Sequence, residues 1–155
     1  RLGLLAMIRG DLGAAREHFN AAVDREDPLA WSGDEIMSLT LGSLAHRETG
    51  DSEQAGALLV SAERIIRRAR LNGVDDPNIY YAEGVVAALK GEQDVALQKL
   101  QMAYERGFRE AWVLDIDDRL DTLRERPEFM LFKERVQEDV GQALAEVRSL
   151  AMLTF

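Results

Sequence analysis

Residues Val85–Gly107 read VVAALKGEQDVALQKLQMAYERG. Apolar residues on both sides of Gly91 fall at helical rather than strand spacing, so the stretch reads as two helices joined at Gly91-Glu92. Glycine permits a helix-ending conformation that a side chain resists, and the acidic residue after it can accept bonds from the free amides of the next helix. The same punctuation stands at Gly50-Asp51 and Gly10-Asp11, so the turns lie 41 and 40 residues apart. Alanine returns five places after each glycine, as Ala15, Ala55 and Ala96, and twelve places after it, as Ala22, Ala62 and Ala103. Between them stand Phe19, Leu59 and Leu100.

This small-large-small series lets backbones approach at the alanines while the large residue fills the space beside them. It predicts three helical hairpins over residues 2–107, with helices near 2–9, 12–25, 35–48, 52–71, 78–89 and 93–106. The pattern resembles the tetratricopeptide repeat. Leu2-Gly3, Ala15, Phe19, Ala22 and Pro28 carry the likeness in the first unit, and Tyr80, Gly84, Ala87, Ala96, Leu100 and Ala103 carry it in the third. The middle unit keeps Ala55, Leu59 and Ala62 but has Gly42-Ser43 and His46 where a leucine-aromatic pattern is more usual. The resemblance implies an all-α, right-handed superhelical stack of antiparallel helical hairpins. The family's period is about 34 residues, so each unit here has residues to absorb. Two places can do so: DPLAWSGDEIM, Asp27–Met37, as a loop with an early turn, and the second helix of the middle unit, as an unusually long helix ending near Asn72-Gly73.

After Gly107 the repeat stops. A short helix is expected around Arg109–Leu114, then a polar bend, a turn at Leu120–Arg124 and a long helix from Pro127, which suits a first-turn position. On that helix Phe129, Phe132, Val136, Val140 and Leu144 recur on one face, with Val147 and Leu150 continuing it. A stack of hairpins exposes an apolar end unless an atypical element covers it, so residues 108–155 read as a nonrepeating C-terminal helical cap within a single domain, 1–155. The string LDTLRERPEFMLFKERV, Leu120–Val136, resembles the segments that close the repeat regions of bacterial winged-helix regulators and nucleotide cyclases. A chain that begins at Arg1 inside a helical pattern is expected to belong to a longer regulatory protein.

Composition narrows the function classes. Of 155 residues, 46% are hydrophobic and 30% charged, which suits an ordered domain rather than an acidic tail. The formal charge of -9 disfavours a phosphate-binding surface, and Arg64, Arg67, Arg68 and Arg70 spread around their helix, so no direct nucleic-acid contact is expected. The absence of cysteine removes disulfides and thiolate chemistry. No apolar run approaches the roughly 20 residues of a membrane span, so no membrane insertion is expected, and the setting is read as cytoplasmic. No phosphate loop, GxSxG or HExxH pattern occurs, and His18 and His46 stand in different repeats. Asp115, Asp117, Asp118 and Asp121 lack the glycine and distal glutamate of a calcium loop and read as capping and solvated residues. No catalytic residue, metal or cofactor is therefore expected.

The better site is a surface. In tetratricopeptide-like stacks the first helices line the concave side, which here implies a groove of Leu4, Met7 and Ile8; Thr40, Leu44, Arg47 and Glu48; and Tyr81, Val85, Ala88 and Leu89. Leu4, Leu44, Val85 and Leu89 suit a core equally well, whereas Met7, Arg47 and Tyr81 are expected to face the groove. The family includes receptors for acidic C-terminal peptides held by basic and amide residues, but Arg47 stands in mostly apolar or acidic company and that specificity does not transfer. The expectation is a noncatalytic module for protein-protein interaction or assembly, binding a protein or peptide. Two alternatives stand beside it: a small-ligand sensing domain controlling an attached effector, which needs a closed pocket with several polar groups, and a structural dimerisation domain. The face of Phe132, Val136 and Val140 either covers the last hairpin or pairs with another copy; a monomer is expected, with a homodimer as the alternative.

Overall fold

The computed structural model describes residues 11, 13, 14, 17 and 33–152, with 150–152 as backbone alone. Its helices are α1 (Gly33–Glu48), α2 (Ser52–Leu71), α3 (Pro77–Leu89), α4 (Gln93–Glu105), α5 (Val113–Ile116), a 3-10 helix (Asp118–Leu123) and α6 (Pro127–Met152). The described residues are all-helical and include no strand. Among them, no helix is long and apolar enough to cross a membrane. The expected helix at 2–9, most of that at 12–25, and Leu4, Met7, Ile8 and His18 lie outside the described residues. Gly13, Ala14 and Glu17 are helical, and the Ala14 amide donates to Asp11 Oδ1 at 3.0 Å.

The turn glycines act as their spacing implies. Gly50 and Gly91 have φ of 83° and 80°, a left-handed conformation that costs a side-chain-bearing residue about 1–2 kcal/mol. Each closes its helix with the same two bonds: Gly50 donates to Arg47 and Asp51 to His46, as Gly91 donates to Ala88 and Glu92 to Ala87. Gly73 and Gly107 end α2 and α4 in the same way. The acidic residue after the glycine caps α2, where Asp51 Oδ1 accepts from the Gln54 amide at 3.2 Å. Glu92 makes no such cap; its longer side chain pairs with Lys90 at 3.1 Å instead.

Helices α1 and α2 pack most extensively on each other, as do α3 and α4, and α1 also meets α3. Gly84 explains how closely α3 and α4 approach: a methyl group there would lie 3.0 Å from Leu100 and 3.3 Å from the Ala96 carbonyl. Ser43 precedes Gly50 by the same seven residues that separate Gly84 from Gly91, so the middle unit also puts a small residue at this position. Between Gly50 and Gly91 the extra length of the period lies in α2, which has 20 residues against 13 in α4, whereas residues 27–32 of the other stretch expected to absorb length lie outside the described residues. Seven added residues make about two full turns at 3.6 residues each, so the buried face keeps its phase. Ile65, Ile66 and Ala69 on those turns are buried in one cluster with Ile79.

The cap differs from its expectation in two respects. The short helix is only α5, four residues, because Phe108 and Ala111 are drawn inward and Arg109 caps the Tyr104 and Phe108 carbonyls at 2.7 and 2.8 Å. The 3-10 helix then folds back against α3 and α1, placing Leu120 and Leu123 in one core with Leu44, Val85, Ala88 and Leu89. This is why α3 is buried nearly all round. Along α6, Phe129, Phe132 and Val136 are buried and Val140 is half-buried, with Phe132 edge-on to Tyr104 at 6.1 Å, whereas Leu144 and Val147 are exposed. The face at Val136 is thus consumed by the chain's own core.

Gly84→Leu is expected to lower stability by about 1–3 kcal/mol in urea denaturation, because the added side chain must displace the buried Leu100 and press on the Ala96 carbonyl. Gly56→Ala, in α2 with nothing within 4 Å of the added carbon, is expected to raise stability by about 0.5–1 kcal/mol. Equal responses at the two glycines would remove close approach as the reason for Gly84.

Candidate functional site

The 3-10 helix covers only part of the face formed by α1 and α3. Beside it a cleft of about 630 Å³ remains, between Ile36, Met37, Thr40 and Leu41 of α1, Asn78, Tyr81, Ala82 and Val85 of α3, and the segment from Phe108 to Arg119. Its inner wall is built by stacking: the Tyr81 and Phe108 rings lie parallel within 5°, centroids 4.7 Å apart. Its outer edge carries Met37, Trp112 and Ile116, all exposed, with Trp112 at 62%.

A buried polar network closes the cleft at its base. Arg119 clamps Asp117 through two parallel bonds, Nε to Oδ1 at 2.8 Å and Nη2 to Oδ2 at 2.6 Å. Arg119 Nη1 also donates to Thr40 Oγ1 at 2.7 Å, and the Tyr81 hydroxyl donates to Asp117 Oδ2 at 2.5 Å. Thr40 in turn donates to the Ile36 carbonyl at 2.8 Å. Asp117 Oδ1 also accepts from the Arg119 amide at 3.1 Å, so it starts the 3-10 helix while binding the guanidinium. Burial by itself raises the pKa of Asp117, but the bonds and charge of Arg119 outweigh it and hold the carboxyl below its ordinary value. Burial and the adjacent carboxylate push the Tyr81 phenol well above its ordinary value, so it stays a donor.

Of the residues expected on the groove, Thr40, Tyr81 and Val85 line the cleft. Leu44 and Ala88 are buried beneath the cap, and Thr122 Oγ1 donates to the Ala88 carbonyl at 3.3 Å. Tyr81, expected to face outward, is 9% exposed; its hydroxyl is drawn in by Asp117. Arg47 and Glu48 are exposed but do not line the cleft, and Arg47 Nη1 donates to the Leu89 carbonyl at 3.2 Å. His46 is buried, its Nδ1 3.1 Å from Asp51 Oδ2.

The aspartates read as capping and solvated residues divide their roles. Asp117 joins the network above. Asp115 ties α5 to α6 through Lys133 Nζ at 2.8 Å and Gln137 Nε2 at 2.9 Å, and Asp121 pairs with Arg124. Among the described residues no group of three or more carboxylates and histidines is placed to hold a metal ion.

The pattern missed Trp112, Ile116 and Arg119. Two signals pointed to them: Ile116 set singly between Asp115 and Asp117, just after the apolar run AWVL, Ala111–Leu114, and an α3 sequence, IYYAEGVVAAL, too apolar on every side to leave a face in water. Comparison of the chain with protein-family models, with curated proteins and with solved structures gives no match in any of the three.

Asp117→Asn keeps the shape of the side chain but leaves the Arg119 charge unpaired, and is expected to cost about 3–5 kcal/mol in chemical denaturation. The parent carries the Asp117 contribution above the ordinary carboxylate pKa of about 4 and loses it as pH falls through the lower folded value, since the unfolded chain then binds the extra proton. The stability difference between parent and Asp117→Asn should therefore shrink below about pH 4. A pH-independent difference would exclude ionised Asp117 as the source.

Proposed function

We propose that this chain is a noncatalytic protein-interaction module of tetratricopeptide-like construction, in which α1–α2 and α3–α4 are antiparallel hairpins of a right-handed superhelical stack. In this reading the recognition site is what the cap leaves of the concave face. The observation that carries it is the exposed Met37, Trp112 and Ile116 around a cleft whose inner wall is apolar. Clustered exposed apolar side chains beside a concavity are the usual mark of a binding surface, and a large rigid ring such as Trp112 is the residue type that concentrates interface energy. The polar groups at the base are engaged with one another, which suits an occupant that enters through apolar side chains.

A second reading, a small-ligand sensor, is supported by the cleft volume, which lies within the range of about 300–1,000 Å³ typical of ligand pockets. The two separate by what competes for the cleft.

Peptides selected from a random display library against the immobilised chain are expected to lose about tenfold or more in affinity for Trp112→Ala and Ile116→Ser. Thermal stability should stay close to the parent's, since both side chains are mostly exposed. Undiminished binding to both folded variants would reject the cleft as the recognition site. A small molecule that shifts Trp112 fluorescence while no selected peptide responds to either variant would favour the sensor.

A further inference from the structure

We propose that the occupant of this cleft is a basic amphipathic segment of a partner protein, which inserts apolar side chains between α1, α3 and the cap and sets Lys or Arg against the rim. This rests on reading the cleft as an interaction site and narrows that reading to one chemistry.

The charge of the lining decides it. Asp34, Glu110, Asp117 and Asp118 line the cleft against Arg119 alone among described cationic residues, an excess of three negative charges. Arg119 is not available to an anion: its guanidinium is spent on Asp117 and Thr40. Asp34, Glu110 and Asp118 are exposed on the rim, Asp118 with Arg124 Nη2 3.9 Å away on the side outside the lining, and low-dielectric walls focus their field outward. An acidic segment meets like charge at this rim. An uncharged apolar segment strips water from the carboxylates and returns nothing, whereas Lys or Arg at the edge of an apolar strip restores the interaction. Trp112 adds a second reason, because an exposed indole face attracts ammonium and guanidinium groups. The features occur together: an apolar interior selects the strip, and the acidic rim with Trp112 selects the cations flanking it.

The test uses three fluorescein-labelled helical peptides with identical Leu and Phe positions and polar faces of Lys and Arg, of Gln, or of Glu, titrated with the chain by fluorescence anisotropy. The basic peptide is expected to bind most tightly, and to weaken about tenfold with the double reversal Glu110→Lys and Asp118→Lys and with rising salt. Glu134→Lys with Glu138→Lys, an equal charge change on exposed positions of α6 outside the cleft lining, is expected to leave affinity within about twofold. Equal loss from both double reversals would overturn the proposal in favour of general charge attraction, and absence of binding by the basic peptide would overturn it outright. Binding of the Gln or Glu peptide as tight as the basic one, but still weakened by Trp112→Ala, would overturn the basic chemistry and leave the cleft standing as an interaction site. Basic-peptide binding indifferent to both Trp112→Ala and Ile116→Ser would remove the cleft along with its chemistry.

Discussion

The pairing of Arg119 with Asp117 is the constraint around which the rest of the cap is arranged. Two charges taken almost wholly out of water are tolerable only if their remaining hydrogen-bonding capacity is met in good geometry. Here Thr40 of α1 and Tyr81 of α3 meet it, so the pair fixes both first helices relative to the 3-10 helix. The ring of Tyr81 then supports Phe108, and the direction of the chain from Phe108 to Ile116 sets where Trp112 stands. An apolar pair of similar volume can be equally stable, but it has no directional bonds with which to hold α1, α3 and the cap in one register.

The face that α1 and α3 share is divided by the 3-10 helix. The part near Leu44, Ala88 and Leu89 is filled by Leu120 and Leu123, while the part near Met37, Thr40 and Tyr81 stays open. Filling one half explains why α3 needs no polar face. Leaving the other half produces a bounded cleft, with one wall supplied by the segment from Phe108 to Arg119.

The far side of the cap is held by more ordinary means. Tyr104 packs on Phe132, its hydroxyl donates to Asp139, and the guanidinium groups of Arg109 and Arg135 lie over its ring. Arg126 reaches Asp94 at 2.8 Å and Gln93 Nε2 donates to the Thr122 carbonyl at 2.9 Å, joining the start of α6 and the 3-10 helix to the start of α4. These contacts stop near Val140, and α6 continues beyond them with Leu144 and Val147 in the open.

Helices α1 to α4, their glycine ends and the close approach of α3 and α4 were legible in the sequence, because each depends on residues a few positions apart. A glycine at Gly91 ends a helix through bonds to Ala87 and Ala88 whatever lies elsewhere, and Gly84 with Ala96 marks a tight contact within one helical pair. That α2 would run on was legible only as one of two places for the extra length; burial of Ile65, Ile66 and Ala69 gives its added turns a core to pack in. The site was legible only in part. Thr40, Tyr81 and Val85 were placed on the right face by helical phase, but phase cannot show what covers a face. Arg119 meets Thr40 across 79 residues of sequence and Asp117 meets Tyr81 across 36, separations at which no local pattern constrains the partner. The sequence determined the helices and their turns through short-range geometry. Tertiary structure alone decided which half of the first-helix face was filled and which stayed open, because that depended on where a buried pair of charges found its remaining hydrogen bonds.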